Sequence, residues 1–159
     1  MKNLSVVLCV AGMIAIMCIG MLKTEVASAG YTARPTVADG PEPVEDSMHE
    51  FMEYVFQPTY KRLKVTMANA PADNAGWKAM KSDALILAES CNLLYGRCVN
   101  DKTDDWDAHT TASRSAAASL YKAAKAKDFE KASECYRTML NKCNACHKQY
   151  ENGKHILQP

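Results

Sequence analysis

The segment that decides the fold is residues 128–150, which read DFEKASECYRTMLNKCNACHKQY. Asp128 is a residue type that caps helix N-termini, and apolar side chains then recur at intervals of three and four. The inward positions on this pattern are Ala132, Tyr136, Met139, Cys143, Cys146, His147 and Tyr150. The spacing predicts an amphipathic helix that carries two cysteines and a histidine on one face.

The motif Cys143-Asn144-Ala145-Cys146-His147 in this helix is the attachment signature of c-type haem. Two thiols three positions apart can add to the two vinyl groups of one porphyrin. The adjacent histidine can then bind the iron, because histidine is the usual proximal ligand. We therefore expect one haem c per chain, with thioether bonds at Cys143 and Cys146 and with His147 as the iron ligand.

Other interpretations of the motif fit the sequence less well. A thioredoxin-type redox pair requires a βαβ setting, and no strand pattern is visible. A structural disulfide would not require the histidine. A zinc site could use Cys143, Cys146, His147 and His155, but structural zinc ligands normally come as two regularly spaced pairs.

Three further helices precede this segment. The first is expected over about 43–68, with a later start at the capping box Ser47-Met48-His49-Glu50 as an alternative and a kink at Pro58. The second is expected to be capped by Asp73 or Asn74, and the third runs from about 104 to 127. The predicted inner stripe of the second helix is Trp77, Met80, Ala84, Leu87, Ala88, Cys91 and Leu94. Four amphipathic helices and no period-two alternation predict an all-α, antiparallel four-helix bundle over 43–159.

The first 29 residues have the organisation of a secretory signal peptide. Lys2 precedes an apolar run, and Ala27-Ser28-Ala29 provides a cleavage site after Ala29. We expect a periplasmic protein; the alternative is that the run stays as a membrane anchor, since it is about long enough to span a bilayer. Residues 30–42 are predicted to be a flexible lead. The chain has 19 basic and 18 acidic residues, so no basic excess points to nucleic acid.

Five cysteines remain after signal cleavage, and three of them lie outside the motif: Cys91, Cys98 and Cys135. Cysteines of exported proteins are usually paired or modified. On one continuous helix, Cys91 and Cys98 would lie about 10 Å apart, too far for a disulfide. Their pairing requires the helix to end near Gly96, and the alternative is a Cys91–Cys135 bridge.

The sequence resembles the class II c-type cytochromes, the cytochrome c prime family and its low-spin relatives. The resemblance lies in the small-residue turn at 123–129, the motif and aromatic residue at 143–150, and Trp106 at the start of the third helix. The chain departs from the family at Glu151, where a basic residue is usual, and in its longer ending, residues 152–159.

The resemblance implies that the first helix covers the far side of the haem, where an iron-binding side chain decides function. Measured from the proline before the helix, Met52 falls at the family's ligand position, whereas counting back from Lys64 places His49 there. Met48 is a third candidate, and His109 is expected to be a satisfied core or surface histidine. Methionine ligation raises the potential and makes an electron carrier.

We therefore expect a single-electron carrier without catalytic turnover. The alternative is a five-coordinate protein that binds nitric oxide or carbon monoxide, and a weaker one is an interaction module. The expected partners are redox proteins or small gases; a homodimer stays open, and membrane contact requires an uncleaved signal. Lysines that could form a docking surface for an acidic partner are Lys122, Lys125, Lys127, Lys131, Lys142, Lys148 and Lys154.

Overall fold

The regular structure of this chain is helical. The computed structural model describes residues 42–98 and 103–159, and these contain helices and turns but no strand. All of them belong to one unit of the chain, Thr36–Pro159. The predicted signal peptide, and all but the last residue of the predicted lead, lie outside the described residues. The all-α class and the four helices are confirmed for the described part of the chain.

The first helix consists of three consecutive segments: α1 (Met48–Phe51), a π-helical turn (Met52–Phe56) and α2 (Gln57–Thr66). Its start is set by Ser47, whose Oγ accepts a hydrogen bond of 3.2 Å from the backbone N–H of Glu50. This is the later of the two predicted starts, and the expectation that residues 43–47 are helical is wrong. An N-cap hydroxyl that satisfies the first free N–H groups explains the boundary.

The π-helical turn lies immediately before Pro58. Proline has no backbone N–H, and its ring crowds the carbonyl four positions earlier in a regular α-helix. Here the N–H of Gln57 bonds to the carbonyl of Met52, five positions earlier. The hydroxyl of Thr59 donates to the carbonyl of Val55 at 3.1 Å. The helix therefore continues past the proline with a locally widened turn.

The remaining elements are α3 (Asn74–Ser90), a 3₁₀ turn (Cys91–Leu94), α4 (Thr103–Ala126) and α5 (Phe129–Tyr150). Both predicted aspartate caps are confirmed. Asp73 Oδ1 accepts from the N–H of Gly76 at 2.8 Å, and Asp128 Oδ1 accepts from the N–H of Lys131 at 2.9 Å. In the fold, α2 packs on α3, and α4 contacts both α3 and α5.

The buried side chains form two clusters. We call the first the packed cluster; its fully buried members are Leu63, Met80, Leu120 and Leu140. We call the second the cavity cluster, and it consists of Phe51, Cys91, Leu94 and Trp106. The predicted inner stripe of the second helix is buried along its whole length. Its members in α3 belong to the packed cluster, and Cys91 and Leu94 in the 3₁₀ turn belong to the cavity cluster.

Neither predicted disulfide of Cys91 is present, because Cys91 and Cys135 both carry free thiols. Cys91 belongs to the cavity cluster and Cys135 to the packed cluster, so the two side chains do not share a neighbourhood. The helix does end before Gly96, as a Cys91–Cys98 bridge would require, but Cys91 is instead buried among apolar side chains. Both thiols pack as small apolar groups.

Candidate functional site

A cavity of about 350 Å³ is bounded by the first helix, the end of α3, α4, α5 and the C-terminal residues. This volume is ordinary for pockets that hold small molecules and cofactors. Its walls include both the predicted attachment residues and the predicted far-side ligands: Cys143, Cys146, His147, Met52, His49 and Met48. The structure therefore brings together in one cavity two groups of residues that lie some ninety positions apart in the sequence.

The wall contributed by α4 consists of Trp106 and His109 followed along the helix by small side chains. Thr110, Ser113 and Ala117 line the cavity, and Ala117 is only 1% exposed. Trp106 stands at the same wall and donates its indole N–H to the carbonyl of Leu94 at 2.7 Å. Small residues at intervals of three and four leave room for a flat group beside the helix.

The two motif thiols are half-buried and protonated at neutral pH. Burial raises the pKa of Cys143 to about 11, with a hydrogen bond to Ser113 acting in the opposite direction. Burial also raises the pKa of Cys146 to about 11, and the neighbouring Cys143 adds to the effect. Removing a sulfur from water penalises its charged form, which is why both shifts are upward.

The imidazole of His147 is held in one tautomer. Its Nδ1 lies 2.9 Å from the backbone carbonyl oxygen of His155. A carbonyl only accepts hydrogen bonds, so Nδ1 carries the proton and Nε2 keeps its lone pair. Burial lowers the pKa of His147, which favours the neutral ring. A neutral imidazole with a free Nε2 is the form that binds a metal.

The three far-side candidates differ in their surroundings. Met52 is half-buried, packs against the cavity cluster and is the first residue of the π-helical turn. Met48 is also half-buried against this cluster. The side chain of His49 is 69% exposed, and its Nε2 lies 3.4 Å from the carboxylate of Glu53. Met52 is thus the candidate that lies at a π-helical turn, a feature that often occurs at functional sites.

His109 has hydrogen-bonding and packing partners within the protein, as expected. Its Nε2 lies 2.8 Å from Oε1 of Gln149, and its ring packs edge-on against Tyr150 at 6.1 Å. Tyr150 in turn packs edge-on against Trp106, with the ring centroids 5.0 Å apart. These aromatic groups close the cavity where α4 and α5 meet.

The part that the C-terminal residues play in the cavity is not predictable from the sequence pattern. We call residues 151–159 the tail. The tail contributes His155, Ile156 and Leu157 to the cavity wall. The dipeptide Asn152-Gly153 predicts a turn. It does not predict which residues the tail contacts after that turn.

Among the described residues, no group of three or more His, Cys, Asp and Glu side chains is arranged to hold a metal ion. The four residues of the zinc interpretation therefore do not form such a group. No described helix has the length and apolarity needed to span a membrane. No known family model matches the chain, and no curated protein shows significant sequence similarity to it.

Proposed function

We propose that this protein is a c-type cytochrome of the class II type, an electron carrier with one haem c. The observation that carries the proposal is the shared cavity, where Cys143, Cys146 and His147 face the same space as Met52. Haem would supply an iron atom that accepts and releases one electron. We also propose that the protein is exported to the periplasm and that it transfers electrons without catalysing a reaction of its own.

The residues present fit this cofactor. The thiols of Cys143 and Cys146 are the groups that form thioethers, and His147 offers a neutral Nε2. The small side chains of Ser113 and Ala117 leave space for a flat ring. Most of the cavity lining is apolar, and an apolar shell controls the redox potential of a bound metal.

The order of buried residues along the helices supports an antiparallel arrangement. The first helix begins beside the cavity cluster and ends at the packed cluster, where Leu63 lies. Along α4 the order is the same, from Trp106 to Leu120. Along α5 it is reversed, since Leu140 of the packed cluster precedes Tyr150, which packs against the cavity cluster. Helices that pass the two clusters in opposite orders are expected to run in opposite directions.

Covalent attachment is tested by mass spectrometry of the mature protein from a host that matures c-type cytochromes. We expect the mass of the chain plus one haem, and the haem should survive denaturation. Cys143→Ala together with Cys146→Ala should abolish attachment, whereas Cys135→Ala, a matched change outside the cavity, should retain it. A mature chain without haem would contradict the proposal.

The far-side ligand is tested by absorption spectra of the haem protein with and without carbon monoxide. If Met52 binds the iron, the oxidised protein should show a weak far-red methionine band. Met52→Ala should abolish that band, lower the potential and admit carbon monoxide. His49→Ala, the matched change one turn away, should alter little because His49 is exposed and paired with Glu53.

A gas-binding cytochrome is the second candidate. Phe56 lines the cavity one helical turn after Met52, and an apolar side chain on the far side leaves iron five-coordinate. Rapid uptake of carbon monoxide by the unaltered reduced protein would favour this function over electron transfer.

The proposed partner of the electron carrier is an acidic redox protein. The seven lysines that the sequence suggested as a docking surface are all exposed: Lys122, Lys125, Lys127, Lys131, Lys142, Lys148 and Lys154. Exposed charges of one sign steer the approach of an oppositely charged partner. Electron-transfer rates that fall as ionic strength rises would support this partner class.

A further inference from the structure

We propose that the tail is a positioning device for the proximal histidine, with Asn144 as its main anchor. This inference rests on the proposed haem site and adds a role for residues outside the attachment chemistry. Two contacts carry it: the carbonyl of His155 on His147, and the pairing of Asn144 with Leu157. The pairing of Tyr60 with Gln158 secures the end of the tail.

The tail binds both the ring and the backbone of His147. The carbonyl of His155 accepts the Nδ1 proton at 2.9 Å. The carbonyl of His147 accepts from the N–H of Glu151 at 2.9 Å and from the N–H of Gly153 at 3.1 Å. The tail therefore fixes the end of α5 and the ring orientation together.

The fold of the tail depends on backbone conformations that are uncommon for most residues. Asn152, Gly153 and His155 have φ values of 52, 73 and 57 degrees. Such left-handed conformations cost energy in residues other than glycine, although asparagine tolerates them well. His155 adopts one in the same turn that aims its carbonyl at His147, so contacts further along the tail must hold it there.

Asn144 provides the first of these contacts. Its Nδ2 donates to the carbonyl of Leu157 at 3.0 Å, and its Oδ1 accepts from the N–H of Leu157 at 2.8 Å. Leu157 also packs against the packed cluster. Asn144 lies between the two motif cysteines, so the anchor of the tail is part of the attachment segment itself.

The first helix provides the second contact. The hydroxyl of Tyr60 donates to the carbonyl of Gln158 at 2.6 Å and accepts from its N–H at 3.1 Å. Lys64 Nζ donates to the same carbonyl at 3.1 Å. The tail thus links the helix that carries Met52 to the helix that carries His147.

The consequence is electronic as well as geometric. A metal-binding histidine that donates its other N–H to a carbonyl is fixed in tautomer and becomes a more basic ligand. A more basic ligand stabilises oxidised iron, so the His155 carbonyl should lower the midpoint potential. Loss of the tail should therefore raise it.

Three variants of the full-length mature protein test the role. Asn144→Ala removes both bonds to Leu157. A chain ending at Lys154 removes the His155 acceptor. A chain ending at Leu157 is the matched control, because it loses only the contacts of Gln158 with Tyr60 and Lys64. Nitrogen-15 NMR of the His147 ring in the chain without haem measures the tautomer, and redox titration of the haem protein measures the potential.

In the intact chain and in the control we expect Nδ1 to be protonated. In Asn144→Ala and in the chain ending at Lys154, the preference for this tautomer should fall roughly tenfold, and the haem protein should show a higher potential. An unchanged tautomer in the chain ending at Lys154 would overturn the inference. If no variant carries haem, the proposed function fails, while the NMR result still decides the role of the tail.

Discussion

The packed cluster and the cavity cluster are built on the same helices but leave different amounts of space. Ala124 and Ala117 lie two turns apart on α4 and are 0% and 1% exposed. Both belong to the packed cluster, but Ala117 also borders the cavity, whereas Ala124 does not. Burial alone therefore does not distinguish core from site in this protein; what distinguishes them is whether the neighbouring space is filled.

The largest expected effect is at the packed cluster. Leu120→Ala removes a fully buried side chain from a filled region, and we expect a loss of about 2–5 kcal/mol in the free energy of unfolding. Leu85→Ala is the control, because Leu85 is 39% exposed on α3, and it should cost less than about 1 kcal/mol. Urea unfolding measures both, and equal losses would contradict the contrast.

A second, smaller effect compares the two alanines directly. Ala124→Leu adds volume where no space exists, and we expect it to cost about 1–3 kcal/mol. Ala117→Leu extends into the cavity, so the chain without haem should lose less stability, and haem incorporation should fall. Unfolding of both variants, and the haem content of protein produced in a host that matures c-type cytochromes, provide the measurement. A larger stability loss for Ala117→Leu would mean that the cavity is not available space.

The contrast also shows which parts of the fold could be predicted. The caps at Asp73 and Asp128 and the inner stripe of α3 follow from local rules, because a capping side chain bonds three residues away and apolar spacing is set by helix geometry. Ser47 was identified as one of two starts by the same reasoning. These features depend on residues that are close in the sequence, and the structure confirms the three caps.

The features that could not be predicted depend on contacts across the chain. Pro58 signalled a disturbance of the first helix, but not a π-helical turn at Met52–Phe56. The motif identified Cys143, Cys146 and His147 as a site, yet the pairing of Asn144 with Leu157 spans thirteen positions and a turn. The pattern predicts that Cys91 lies on the inner stripe, but it does not show whether the thiol is paired, because that depends on which residues tertiary packing brings beside it.

The smallest expected effect concerns Cys91 in the cavity cluster. Its burial raises the pKa of the thiol from 9.0 to about 12. Above pH 9 the unfolded chain loses this proton while the folded chain keeps it, so stability declines as pH rises towards 12. Between pH 8 and 10 the loss should be roughly 1 kcal/mol.

The Cys91→Ala variant isolates this titration, because all other ionisable groups stay in place. Its free energy of unfolding should decline less steeply from pH 8 to 10 than that of the unaltered protein, whatever the absolute stability of the variant. Cys135→Ala is the matched control in the packed cluster: burial also raises the pKa of Cys135, but the charge of Lys131 opposes the shift. We therefore expect a smaller change in slope for Cys135→Ala. Equal slopes for Cys91→Ala and the unaltered protein would mean that water reaches the Cys91 sulfur from the cavity.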